Sequence, residues 1–168
     1  MGSPLGPVLA NLFMSFHEKQ WLSTYSKSPI HYYKRYVDDI FCLLNSKNDA
    51  IDFLNYLNVQ HPNIKFTMET ETNRNLNFLD ISITVNSNQF LTTVHRKSTF
   101  SGLLLNFHSF VPLSYKLGLI YTLVDRIYKI CHNQLAFNFE IVKIKEFLCK
   151  NAYPLILLKN KFSVILPN

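Results

Sequence analysis

Cysteine, glycine, long apolar runs and, beyond residue 95, acidic residues are all scarce in this chain. The three cysteines, Cys42, Cys131 and Cys149, are odd in number and show no C-x-x-C spacing. That pattern argues against a disulfide framework or a cysteine zinc site and for a reducing compartment. No apolar stretch reaches the roughly 18 residues a membrane helix needs. The opening Gly2, Ser3 and Pro4 are not the charged-then-apolar start of a secretory signal. A nuclear or cytoplasmic protein without a membrane partner is therefore expected. Charged residues make up only 17% against 48% hydrophobic, which excludes a disordered tail. The 168 residues suffice for one domain, or a lobe of a larger one, with a real core. Residues 96–168 hold ten Lys and Arg against three Asp and Glu, whereas residues 1–95 hold seven against eight. A basic half suggests a polyanionic partner, although lysines that merely solubilise helices explain charge alone equally well.

Glycine is also missing from the stretch where it would be most useful. Two β-prone runs, Tyr32 to Tyr36 and Ile40 to Leu44, flank Val37, Asp38 and Asp39, a pattern that reads as strand, tight turn and returning strand. Two-residue hairpin turns need positive φ and usually recruit Asn-Gly or Asp-Gly. Here a β-branched valine and two adjacent carboxylates occupy the bend, a local cost without local compensation that points to function. Paired carboxylates on a rigid turn suit a hard divalent cation such as Mg²⁺, which takes one or two protein carboxylates and leaves room for substrate phosphates.

The rest of the chain reads as an α+β protein. Pro7 suits a helix start, and Val8, Leu9, Leu12, Phe13 and Phe16 form an apolar face on a helix running to about Tyr25. Gly2 and Gly6 before that helix let backbone approach a ligand, and its free N–H groups attract phosphate. Ser46 caps a second helix that carries Ile51, Phe53, Leu54 and Leu57. Three strands should follow: Ile64, Phe66 and Met68 in the first, Leu79, Ile81, Ile83 and Val85 in the second, and Gln89 to His95 in the third, after the 86–88 turn. With the first hairpin they are expected to make one antiparallel sheet bearing the two helices. Asp80 is read as a solvent-facing strand residue. Past Arg96 the period is helical, with Leu117, Ile120, Tyr121, Val124, Ile127, Tyr128 and Cys131 as the apolar stripe and Lys116, Arg126 and Lys129 off it. A last helix is expected from Asn138 as cap to Asn151 as stop, with Ile141, Ile144 and Leu148 inward and Lys143, Lys145 and Lys150 as its basic positions. The pair is either a DNA-binding helix-turn-helix or a plain helical hairpin, and the pattern alone favours the hairpin. Residues 151–168 are an apolar tail, an aggregation hazard unless a further segment covers it.

The Gly2-Ser3-Pro4-Leu5-Gly6-Pro7 turn opening a helix, followed by Tyr36-Val37-Asp38-Asp39 on a hairpin, resembles the reverse transcriptases. The match is to the Penelope-like retroelement branch, through Phe78-Leu79-Asp80-Ile81, His95 to Gly102 and Leu105 to Ser109, and it covers about residues 1–150. The resemblance implies a partial polymerase palm over residues 1–95, a thumb-like or helix-turn-helix-like segment over 96–150 and an apolar tail. It implies an RNA template, a DNA primer and deoxynucleotides as partners. It further implies nucleotidyl transfer at two Mg²⁺ or Mn²⁺ ions about 3.5 to 4 Å apart. On it Asp38 and Asp39 become the catalytic metal ligands, with Asp38 the more direct. Gly2, Ser3 and Pro4 would lie by the nucleotide and template, Tyr36 and Val37 by the primer end, and Lys65 on the pyrophosphate side. Arg96, Lys97, Lys116, Arg126 and Lys129 would hold nucleic-acid backbone. A further catalytic aspartate upstream of the turn, and a fingers region, belong to the family pattern but not to this chain, so a fragment inactive by itself is expected. The alternatives are a non-enzymatic nucleic-acid-binding remnant or a decayed open reading frame.

Overall fold

The computed structural model describes residues 3–87, 89–158 and 160. It is α+β, and its main elements run αββαβββαα as α1 (Gly6–Thr24), β1 (Tyr32–Tyr36), β2 (Asp39–Leu43), α2 (Lys47–Gln60), β3 (Asn75–Phe78), β4 (Ile81–Asn86), β5 (Gln89–Val94), α3 (Leu113–Ile130) and α4 (Gln134–Lys150). The chain divides into two compact units, Met1–Thr70 and Glu71–Asn168. Instead of the single expected sheet there are two, the β1–β2 hairpin and the β3–β4–β5 meander, and one falls in each unit. The meander therefore belongs with the helix pair.

In the first unit, α2 starts where its cap is expected, with the Ser46 Oγ accepting from the Asp49 N–H at 3.2 Å. Trp21, Phe53 and Leu57 form its buried core, joined by Met14, Leu22, Tyr25, Tyr33 and Cys42. The residues expected to be the inward face of α1 point away from that core: Val8, Leu9, Leu12, Phe13 and Phe16 are exposed. At about 100° per residue they centre on the side of the helix opposite to Met14, Glu18, Trp21 and Tyr25. The sequence pattern identified an apolar face, and the packing uses the other one.

Residues 64–70 alternate half-buried and exposed as expected, but they form no strand. Their backbone is satisfied locally. The Asn58 side chain accepts from the Phe66 N–H at 2.7 Å and donates to the Phe66 carbonyl at 3.1 Å, doing for one residue what a neighbouring strand does for many. The missing strand is replaced by β3, in a stretch whose polar Asn75 and Asn77 obscure it. Phe78 pairs with Ile81, so Leu79 and Asp80 are a two-residue turn and Asp80 is no strand residue.

The second unit has the larger core: Val94, Ile120, Val124, Ile127, Phe137, Ile141, Ile144, Leu148, Tyr153 and Leu158. Ile141, Ile144 and Leu148 point inward as the 3.6-residue period requires. The cap of α4 is Asn133, which accepts from the Ala136 N–H at 2.9 Å, and not Asn138, which lies one turn inside. Asn151 does stop the helix, and it also organises the preceding loop. Its buried amide donates to the Gly102 and Phe147 carbonyls, and its Oδ1 accepts from the Leu104 N–H. Gly102 has φ +77°, and a Cβ there would stand 3.0 Å from the Phe147 ring, so both backbone and space call for glycine.

Candidate functional site

The first site is the β1–β2 turn. Tyr36 pairs with Asp39 and Arg35 with Ile40, which leaves Val37 and Asp38 as the two turn residues and makes Asp39 the first residue of β2. Val37 has φ +56° while Asp38 does not share the positive sign, the sign pattern of a type II′ turn, whose first position normally takes glycine. For a β-branched residue this is a costly conformation. It is held by Arg35, whose Nη1 donates to the Val37 carbonyl at 2.9 Å.

Arg35 is itself fixed from α1. Its Nε meets Glu18 Oε1 at 2.7 Å, and its Nη2 donates to Asn11 Oδ1 at 3.0 Å and Ser15 Oγ at 3.3 Å. Tyr33 Oη donates to the same Glu18 oxygen at 2.7 Å. Both partners of this ion pair are nearly buried, with side chains 9% and 11% exposed. Burial first, and then Glu18, push the Tyr33 hydroxyl above its usual range. Burial and Glu18 likewise push the Cys42 thiol up to about 11, so at neutral pH it is an inert thiol. Neither Glu18 nor Arg35 was singled out in the sequence; an arginine two residues before a glycine-free turn was the available signal.

Asp38 and Asp39 are exposed, and among the described residues neither carboxylate has a hydrogen-bond or ion-pair partner. Adjacent open oxygen donors on a pinned turn fit a hard cation completed by substrate and water oxygens. Among the described residues no group of three or more His, Cys, Asp or Glu comes together that could hold a metal, so these two stand alone. Tyr36 and Val37 are also exposed at the turn. Ser3 and Pro4 form the exposed turn before α1, with the Ser3 carbonyl accepting from the Gly6 N–H at 3.1 Å. Gly2 lies outside the described residues. Lys65, expected near pyrophosphate, donates to the Asn58 carbonyl at 2.9 Å, where it satisfies an orphan acceptor in the last turn of α2.

The second site is the basic helical unit. Its cations are mostly engaged. Lys116, expected off the apolar stripe, is buried: it stands four residues before Ile120 on the inward line of α3, and its Nζ donates to the Ser109 carbonyl at 2.8 Å. Arg126 pairs with Asp80 at 3.0 Å and Lys129 with Asp125 at 2.7 Å. Arg96 pairs with Glu140, a carboxylate only 2% exposed that also takes Lys143 at 3.0 Å. Lys97 is exposed. Glu140 was missed, although it interrupts the apolar series Phe137, Ile141, Ile144 at an inward position, and a buried acid needs a partner.

The connection between α3 and α4 is three residues long, Cys131, His132 and Asn133. It is tied to β5 by the Thr92 hydroxyl, which donates to the Ile130 carbonyl, and by the His132 N–H, which donates to the Thr92 carbonyl. Two helices joined by so short a turn suit a helix-turn-helix or a helical hairpin. Residues 103–163 match the Animal helix-turn-helix domain family, a likeness on the side of the helix-turn-helix reading of the pair. A helix-turn-helix domain suggests nucleic-acid binding. No curated protein and no solved structure matches the chain. Among the described residues no helix is long and apolar enough to cross a membrane.

Proposed function

We propose that the chain is part of a retroelement reverse transcriptase of the Penelope-like branch, working on nucleic acid through two separate parts. The 36–39 turn supplies carboxylates to a two-metal site for RNA-directed DNA synthesis, and the Glu71–Asn168 unit holds primer and template. Asp38 and Asp39 carry the reading, as adjacent exposed carboxylates without a partner among the described residues, on a strand-paired turn. Bound divalent ions would supply the charge that stabilises attacking and leaving oxygens. The chain's own contribution is to hold the two oxygen donors in place through Arg35 and Glu18, and to offer Lys97 and Lys129 to phosphates. Lys116, with its ammonium turned inward, serves the fold instead.

Manganese titration of the labelled full chain, followed by NMR, tests this reading. Paramagnetic broadening should centre on residues 36 to 40 and disappear in Asp38→Asn. Primer–template binding should weaken with salt at a log–log slope of about −2, roughly −0.9 for each of the two phosphates neutralised. RNA-templated primer extension that survives Asp38→Asn would overturn the assignment. The helix-turn-helix match, which excludes the 36–39 turn, favours a second reading, a non-enzymatic nucleic-acid-binding protein. That reading predicts the same salt dependence with no effect of Asp38→Asn and no localised manganese broadening.

A further inference from the structure

A cavity of about 490 Å³ opens within the second unit, between the end of β5 with the residues that follow it and α4. Its wall carries Phe100, Phe139 and Phe147 together with Arg96 and Lys143. The two cations are organised by one acid. Glu140 Oε1 accepts from Lys143 Nζ at 3.0 Å, while its Oε2 faces Arg96 Nη1 as an ion pair without the alignment of a hydrogen bond. Each cation also lies against a ring: Lys143 Nζ is 4.2 Å from the centre of Phe139, and the Arg96 guanidinium is 5.4 Å from that of Phe147. Two positive charges against one buried negative charge leave the wall with an anion-attracting excess.

A second cavity, of about 370 Å³, shares Arg96, Phe100 and Phe147 and adds Lys97 and Arg126. Arg126 brings a buried Nε–H with no hydrogen-bond acceptor. Its Nη2 is already paired with Asp80 at 3.0 Å, so Arg126 fixes the rim of the cleft and leaves its other cations to meet an anion. Phe139 is 63% exposed, a large ring that the fold itself does not bury. Exposed aromatic faces interleaved with fixed cations are what unpaired nucleotides require: stacking for the base, which a duplex hides, and cations for the backbone.

We infer that this cleft binds an unpaired nucleotide of a single-stranded segment, with the base against Phe139 and the phosphates at Arg96 and Lys143. The inference rests on the nucleic-acid reading above and gives it a substrate class. Fluorescence anisotropy of the full chain tests it, with a labelled oligothymidylate and a blunt-ended duplex of equal length as probes. Phe139→Leu keeps an apolar side chain but removes the ring, and should weaken oligothymidylate binding about tenfold, as loss of one stacked base does. Duplex binding should change less than about twofold. Phe139→Trp should preserve or tighten single-strand binding, and Lys143→Gln should reduce the salt slope by about one. A neutral Phe139→Leu, as docking of an acidic peptide on an apolar ridge would give, overturns the inference. So does an equal loss on duplex and single strand. A wild-type chain that binds neither probe defeats the nucleic-acid reading itself, whereas salt-dependent duplex binding without single-strand binding defeats only the cleft.

Discussion

The two units solve the same problem with different means. Met1–Thr70 carries six Lys and Arg and six Asp and Glu, and among the described residues its core buries three hydrophobic residues, Trp21 included; Glu71–Asn168 carries eleven against five, and its core buries ten. The neutral unit leaves an apolar helix face in solvent and holds its 36–39 turn through the Glu18–Arg35 pair. The basic unit has a larger core, mostly aliphatic with Phe137 and Tyr153, and uses its buried acid, Glu140, to fix cations at a surface. Both contain a two-residue turn with a non-glycine residue at positive φ, Val37 at +56° and Leu79 at +53°. Both turns place an aspartate second, yet Asp80 is matched by Arg126 and Asp38 is left open. Backbone strain is thus shared by a structural turn and a candidate catalytic one. The unpaired carboxylate is what separates them.

Three substitutions probe this contrast. Leu148 is fully buried in the basic unit, and Leu148→Ala should cost about 4 kcal/mol through lost transfer energy and the cavity left behind, read by urea unfolding monitored by circular dichroism. The chain's single tryptophan, Trp21, lies in the other unit and reports on it by fluorescence. An equal shift of both signals would break the contrast between the units. Arg35→Ala should cost about 3 kcal/mol, because it strands Glu18 as a nearly buried charge, and this loss should be seen in the Trp21 signal. A change under about 1 kcal/mol, as for a surface ion pair, would show that the clamp does not hold the turn. Val37→Gly should stabilise by about 0.5 to 1 kcal/mol, relief of the left-handed backbone outweighing the added freedom of the unfolded chain. Destabilisation in the same urea titration would show that valine is not strained there.

Local chemistry was readable in advance wherever it depended on neighbours in sequence. Ser46 as a cap, Asn151 as a stop, the hairpin around Val37 and Asp38 and the inward line of Ile141, Ile144 and Leu148 all follow from spacing of a few residues. The strand at residues 64–68 failed although its alternation was right, because Asn58 of a neighbouring helix took the hydrogen bonds a strand partner would have made. The cap at Asn138 failed because Asn133 offers the same side chain one turn earlier, at the end of the three-residue connection.

What the sequence by itself determined is therefore the menu: the helical segments, the first hairpin and the last two strands, the Ser46 start and the Asn151 stop, and that two adjacent carboxylates sit at a turn. Tertiary structure decided which side of α1 is buried, that Lys116 turns inward, that Glu140 gathers Arg96 and Lys143, and that Arg35 reaches from the hairpin to Glu18. The reason is range. Periodicity and capping act over one or two helical turns, whereas the burial of a charge depends on a partner many residues away. Only the folded chain brings that partner within about 3 Å, where pairing offsets desolvation.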